Sequence, residues 1–89
     1  MSSRTPIRVT EADVENAIAV TQFHRFHGTT LIVCALTLRN GYVVTGTSAC
    51  VDPAHFDEVR GRSIALDKAR GEIWAMLGYA ARQRYAEGR

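Results

Sequence analysis

The sequence predicts an α+β fold: a short N-terminal helix, an antiparallel β-meander or hairpin of two to three strands, and a long kinked C-terminal helix packed on one sheet face. Three observations predict it. Thr10 followed by Asp13 makes a capping-box start ahead of Val14, Ala17 and Ile18 at helical spacing. Asn40-Gly41 stands between two β-prone runs, the strongest short-range hairpin signal. Asp52-Pro53 is a cap followed by a residue suited to the first helical position, and Phe56, Ile64, Ala65, Ala69, Ile73, Trp74, Leu77 and Ala81 then recur at helical intervals.

Taken in order, residues 1–9 read as a flexible leader and residues 10–89 as a single domain. The first helix is expected to end near Val20 or Thr21, with a brief strand over Gln22 to Phe26 broken at His27-Gly28. Thr29 to Leu38 forms the next strand and Tyr42 to Cys50 the return. A two-residue type I′ turn at Asn40-Gly41 sets the register: Arg39 faces Tyr42, Leu38 faces Val43, Cys34 faces Thr47 and Leu31 faces Cys50. One face then carries Ile32, Cys34, Leu36, Leu38 and Val43, and the other Leu31, Val33, Ala35 and Val44. Cys34 and Cys50 fall on opposite faces. Both faces are apolar, so a second copy of the chain is expected to cover the one that the helix leaves open. Gly61 and Gly78 are expected to divide the last helix into a short piece, a long piece and a terminal turn.

Composition narrows the function classes. A chain of 89 residues has room for one small domain and a thin core, not for a two-domain enzyme with its own cofactor fold. Hydrophobic residues make up 46% and charged residues 22%, values that place it among folded domains. No apolar run reaches the roughly 18 residues of a membrane span, and the first residues lack a signal-peptide core. A cytoplasmic protein with reduced Cys34 and Cys50 is expected. The net charge of +2 is too small to point to a nucleic-acid polymer. Ten of the eleven basic residues are arginine, and residues 78–89 carry the whole excess through Arg82, Arg84 and Arg89 against Glu87.

The chemistry-bearing residues have plain structural readings beside functional ones. His24, His27 and His55 lack the Cys or acid companions of a metal site, so no metal is expected. Cys50 has Asp52 close by, whose charge disfavours a thiolate nucleophile. Asp52, Asp57 and Glu58 suit a helix start better than paired acid-base catalysis, so no catalytic residue and no cofactor are expected. Phe56, at a loop-to-helix corner, serves either the core or a stacked base. Arg82, Arg84 and Tyr85 put two guanidiniums and an aromatic within one turn: a phosphate-binding end, or a solvated basic terminus favoured by the helix dipole. Arg39 beside the turn, and Arg60 and Arg62 near Gly61, are secondary anion candidates.

The run Asn40-Gly41-Tyr42, then Gly46-Thr47-Ser48-Ala49-Cys50-Val51-Asp52-Pro53-Ala54-His55-Phe56-Asp57, with Trp74 and Gly78-Tyr79 in an Ala-rich helix, resembles a family of small tailed-phage and prophage proteins. It is also similar to the first class of Thoeris anti-defence proteins, phage-encoded sponges that bind cyclic ADP-ribose-type signals or cyclic oligonucleotides without cleaving them. The resemblance implies a homo-oligomer that holds a cyclic nucleotide between subunits in the host cytoplasm. It implies phosphate contacts from Arg82, Arg84 and Arg39, stacking on Phe56 or Tyr85, and hydrogen bonds from Asn40, Ser48 or Asp52 to the base edge or ribose. The alternative is a small interaction module that acts on a host protein and takes no small ligand.

Overall fold

In a computed structural model, which describes residues 8–88, the chain runs α1 (Glu11–Ala17), β1 (Ile18–Arg25), β2 (Leu31–Leu38), β3 (Val43–Ala49), a 3-10 turn (Pro53–His55) and α2 (Glu58–Ala86). The three strands form one antiparallel sheet in the order β1-β2-β3, and α2 packs across one of its faces. This is the α+β architecture that the sequence predicts. Of the expected leader, residues 1–7 lie outside the described residues, and Val9 packs partly against the core.

The start of α1 is a complete capping box. Asp13 N donates to Thr10 Oγ1 at 3.2 Å, and Thr10 N donates to the Asp13 carboxylate at 2.9 Å. The helix stops at Ala17, earlier than expected, and passes straight into β1. The β-branched run Ile18, Val20 and Thr21 explains the early change, because those side chains fit a pleated surface better than a helix turn. A bulge between Ile18 and Val20 absorbs the transition.

The hairpin register differs from the expected one by a single residue. Leu36 pairs with Val44, Cys34 with Gly46 and Leu31 with Ala49. The connection is a three-residue loop, with Gly41 N donating to Leu38 O at 2.9 Å and Leu38 N donating to Tyr42 O at 2.7 Å. A type I′ turn needs positive φ at both Asn40 and Gly41, and only Gly41 has it (φ 91°). Asn40 keeps negative φ and uses its Oδ1 to accept from Tyr42 N at 3.0 Å. A slip of one residue reverses faces in a strand of period two, so Val44 is buried and Val43 exposed, the opposite of the expected placement. The same shift brings Cys50, just beyond β3, onto the parity of the core face that holds Cys34, so their expected placement on opposite faces does not hold. Both are free thiols, four residues apart along the sheet from Gly46 to Cys50, roughly 13 Å of strand.

The core lies between this face and α2. Ile32, Cys34, Leu36, Leu38 and Val44 from the sheet meet Ala65, Ala69 and Ile73 from α2 and Val14 from α1. α2 is one continuous helix of 29 residues through Gly61, Gly71 and Gly78, not the divided helix expected. The interruption falls earlier, at Phe56-Asp57, where Asp57 caps α2 by accepting from Val59 N at 3.0 Å and Arg60 N at 3.3 Å. Small residues let the helix lie close to the sheet: a Cβ on Gly46 would stand 2.2 Å from the Ala65 carbonyl oxygen and 2.4 Å from Ala69 N. At about 43 Å, α2 sets the shape of the molecule, 61 × 23 × 18 Å. No described helix is long and apolar enough to cross a membrane.

Candidate binding groove

The two Asp caps that follow β3 shape a groove at the start of α2. Asp52 Oδ1 accepts from Ala54 N at 3.0 Å, which turns the chain into the 3-10 segment. Its other carboxylate oxygen lies 2.6 Å from His55 Nδ1, an exposed pair. Asp57 then starts α2 in a new direction. Between the end of β3 and the first turns of α2 lies a groove of about 270 Å³ whose lining includes Ser48, Cys50, His55, Phe56, Arg60 and Ile64.

Phe56 is half-buried and packs against the core cluster, and it also lines the groove. The Arg25 guanidinium sits 4.5 Å from its ring centroid. Arg25 is itself held by Thr29 O at 3.1 Å and Glu58 Oε1 at 3.4 Å, and Glu58 also takes Arg62 Nη2 at 2.9 Å. These contacts tie the end of β1 to the start of α2 and fix one side of the ring. Arg60 and Asp57 both line the groove, and Arg60 makes no ion pair with any carboxylate of the described residues.

The remaining expected site residues stand elsewhere. Arg39 Nε donates to the Asn16 carbonyl and Asn40 stabilises the hairpin loop, so both belong to the opposite end of β3. Arg84 lines a second, more open cleft of about 390 Å³ between α1 and the later turns of α2, together with Arg8, Asp13 and Asn16. The Arg82 guanidinium stacks 5.4 Å from the Tyr85 ring centroid. Two residues apart on a helix, Arg82 and Arg84 point to different sides and do not grip one anion together. Along α2, Arg82 is roughly 36 Å from Glu58. The expected set therefore divides into Ser48, Asp52 and Phe56 at one end and Arg39, Asn40, Arg82, Arg84 and Tyr85 at the other.

Sequence reasoning gave Arg60 only a secondary place and did not find Arg25. The signal for Arg60 was its position one turn into a capped helix beside Phe56. Nothing local marks Arg25, which reaches Phe56 only because β1 ends beside the start of α2. Cys34 is buried on the core face, and burial pushes its thiol pKa up.

The model of the phage protein (N4 Gp49/phage Sf6 gene 66) family matches residues 9–85, nearly the whole of the described chain. No curated protein and no solved structure matches the chain.

Proposed function

This chain belongs to the phage protein (N4 Gp49/phage Sf6 gene 66) family, and on that premise we propose that it is a counter-defence binding protein that captures a cyclic nucleotide signal and holds it uncleaved. The observation that carries the reading is the groove at the start of α2: a pinned aromatic ring, a hydroxyl and a guanidinium outside any ion pair line one cleft, Phe56, Ser48 and Arg60. These are the three contacts that a nucleotide needs, for base, ribose and phosphate. Asp52, beside the groove through His55, adds an acceptor for a ribose hydroxyl or a base N–H. The resemblance to the first class of Thoeris anti-defence proteins supports a cyclic ADP-ribose-type or cyclic oligonucleotide ligand.

Sequestration works through affinity and copy number, not turnover. Arg82, Arg84 and Arg39 are too far from the groove to complete it within one chain, so a site that uses them is shared between subunits of a homo-oligomer. The test is direct. Purified protein is mixed with cyclic ADP-ribose isomers and cyclic oligonucleotides, separated from free ligand, heated and extracted. The reading predicts recovery of intact ligand, lost in Phe56→Ala and Arg60→Ala. Recovery of a cleaved product, or no retention of any cyclic nucleotide, contradicts it.

The uncovered face of the sheet favours a second reading. Val20, Gln22, His24, Leu31, Val33, Ala35, Val43, Thr45 and Thr47 carry no carboxylate, Lys or Arg, and no described element packs over them. A host protein docked there would make the chain an interaction module. A nucleotide screen with no thermal shift, together with one host protein captured in stoichiometric amount, would favour that reading.

A further inference from the structure

The chain places seven glycines, and three of those in or against α2 separate into two kinds. Gly61 is buried, and a Cβ there would meet Ile32 Cδ1 at 2.8 Å. The end of the Ile32 side chain would have to shift to admit it. Gly71 and Gly78 lie in the middle of the same helix, and a Cβ on either would meet nothing within 4 Å. Their φ angles are helical, so no turn requires them. Each makes the helix less stable than alanine would, and no contact among the described residues offsets that.

Both glycines flank Trp74, the single tryptophan, which is 37% exposed. Asp67, Gly71, Trp74, Gly78 and Arg82 follow one another at spacings of three and four residues, along the side of α2 away from the buried row Gly61, Ala65, Ala69 and Ile73. This is the spacing of a helix-pairing seam, with one large side chain set between two glycines.

We infer that the α2 face bearing Gly71, Trp74 and Gly78 packs antiparallel against the same face of a second copy of this chain. The occupant is argued from self-complementarity. When Gly71 faces the partner's Gly78, Trp74 enters the hole bounded by the partner's Gly71, Trp74, Ala75 and Gly78. The two-fold axis makes the reciprocal contact. In the same register Asp67 lies opposite the partner's Arg82, twice across the interface. Asp67 has no cation partner among the described residues, and Arg82, whose guanidinium lies 5.4 Å from the Tyr85 ring centroid, has no ion pair among them. The charges therefore match only when the helices run antiparallel. This register also sets the partner's Tyr85 opposite Ile64, which lines the groove. The partner's Tyr85 then stands beside the groove end of α2. That consequence rests on the functional reading above; the pairing itself does not.

The experiment is sedimentation velocity and dilute-solution melting on the whole chain. Wild type should sediment as a dimer or a multiple of it at tens of micromolar, with Trp emission moving to the blue as concentration rises. Gly71→Gln/Gly78→Gln places good helix formers into open space. It should raise the melting midpoint at monomer-favouring dilution by about 5 °C or more, while weakening association at least tenfold. Asp67→Arg and Arg82→Asp should each weaken association, and the combined variant should restore it. A monomeric wild type, or a dimer whose dissociation constant the glutamine pair leaves unchanged, overturns the inference. A seam-dependent dimer that retains no cyclic nucleotide overturns the functional reading and leaves this one standing.

Discussion

Glycines at two positions show how closely single residues are specified. At Gly46 the chain has no room for a side chain, because α2 backbone atoms occupy the place where a Cβ would go. Gly46→Ala forces helix and strand apart and is expected to lower stability by about 3 kcal/mol or more, read as a fall in the urea midpoint. A change below about 1 kcal/mol would mean that α2 does not lie on β3 as described. Gly41 is needed for its backbone instead. Its φ of 91° strains any L side chain, so Gly41→Ala should cost roughly 1–2 kcal/mol although open space surrounds it. Cys34 makes a pH prediction. Its thiol pKa is raised by burial, so the folded chain holds the proton more tightly than the unfolded chain. The stabilisation this gives is complete below the ordinary thiol range and is lost as pH climbs through it. The alkaline fall in stability should shrink in Cys34→Ala, and Ellman's reagent should reach Cys50 well before Cys34. Equal reaction rates in the native state would contradict the burial of Cys34.

The elements were legible from the sequence where a local signal was decisive and illegible where two local signals competed. Thr10 and Asp13 gave the start of α1 because a capping box needs only its own residues. The end of α1 was missed because apolar residues at helical spacing continued into Ile18, while the β-branched preference of Ile18, Val20 and Thr21 prevailed through pairing with β2. Asn40-Gly41 located the hairpin but not its register, since the same dipeptide fits a two-residue I′ turn and a three-residue loop closed by glycine, and choosing between them reverses Val43 and Val44. In α2 the glycines were given too much weight: tertiary contacts at Gly61 hold the helix through a residue that would weaken it alone. Contacts between elements carry their own prediction. Arg70, 18% exposed, bonds Glu15 and lies 3.3 Å from Glu11, clamping α1 to α2. Arg70→Met should cost about 1–2 kcal/mol, with the loss confined to faster amide exchange in α1. Uniformly faster exchange in all elements would show that the clamp is not local.

At the scale of the whole molecule, a small sheet covered on one side by a helix about 43 Å long leaves two surfaces without partners: the outer sheet face and the seam of α2. Length and the apolar strands raised the expectation of a second copy over the open sheet face, and the corner at Phe56 was legible from Asp52-Pro53. Which residues would share one site was not, because Phe56 and Arg82 are distant within a chain and any meeting between them depends on how copies assemble. The claim that joins these points is that the assembled chain holds a cyclic nucleotide intact. Native mass spectrometry of the protein taken directly from cells producing the signal tests it in one spectrum. The account predicts a multiple of the 9.8 kDa chain carrying the mass of an intact cyclic nucleotide. A 9.8 kDa species with no added mass, or an assembly carrying only linear nucleotide, would contradict it.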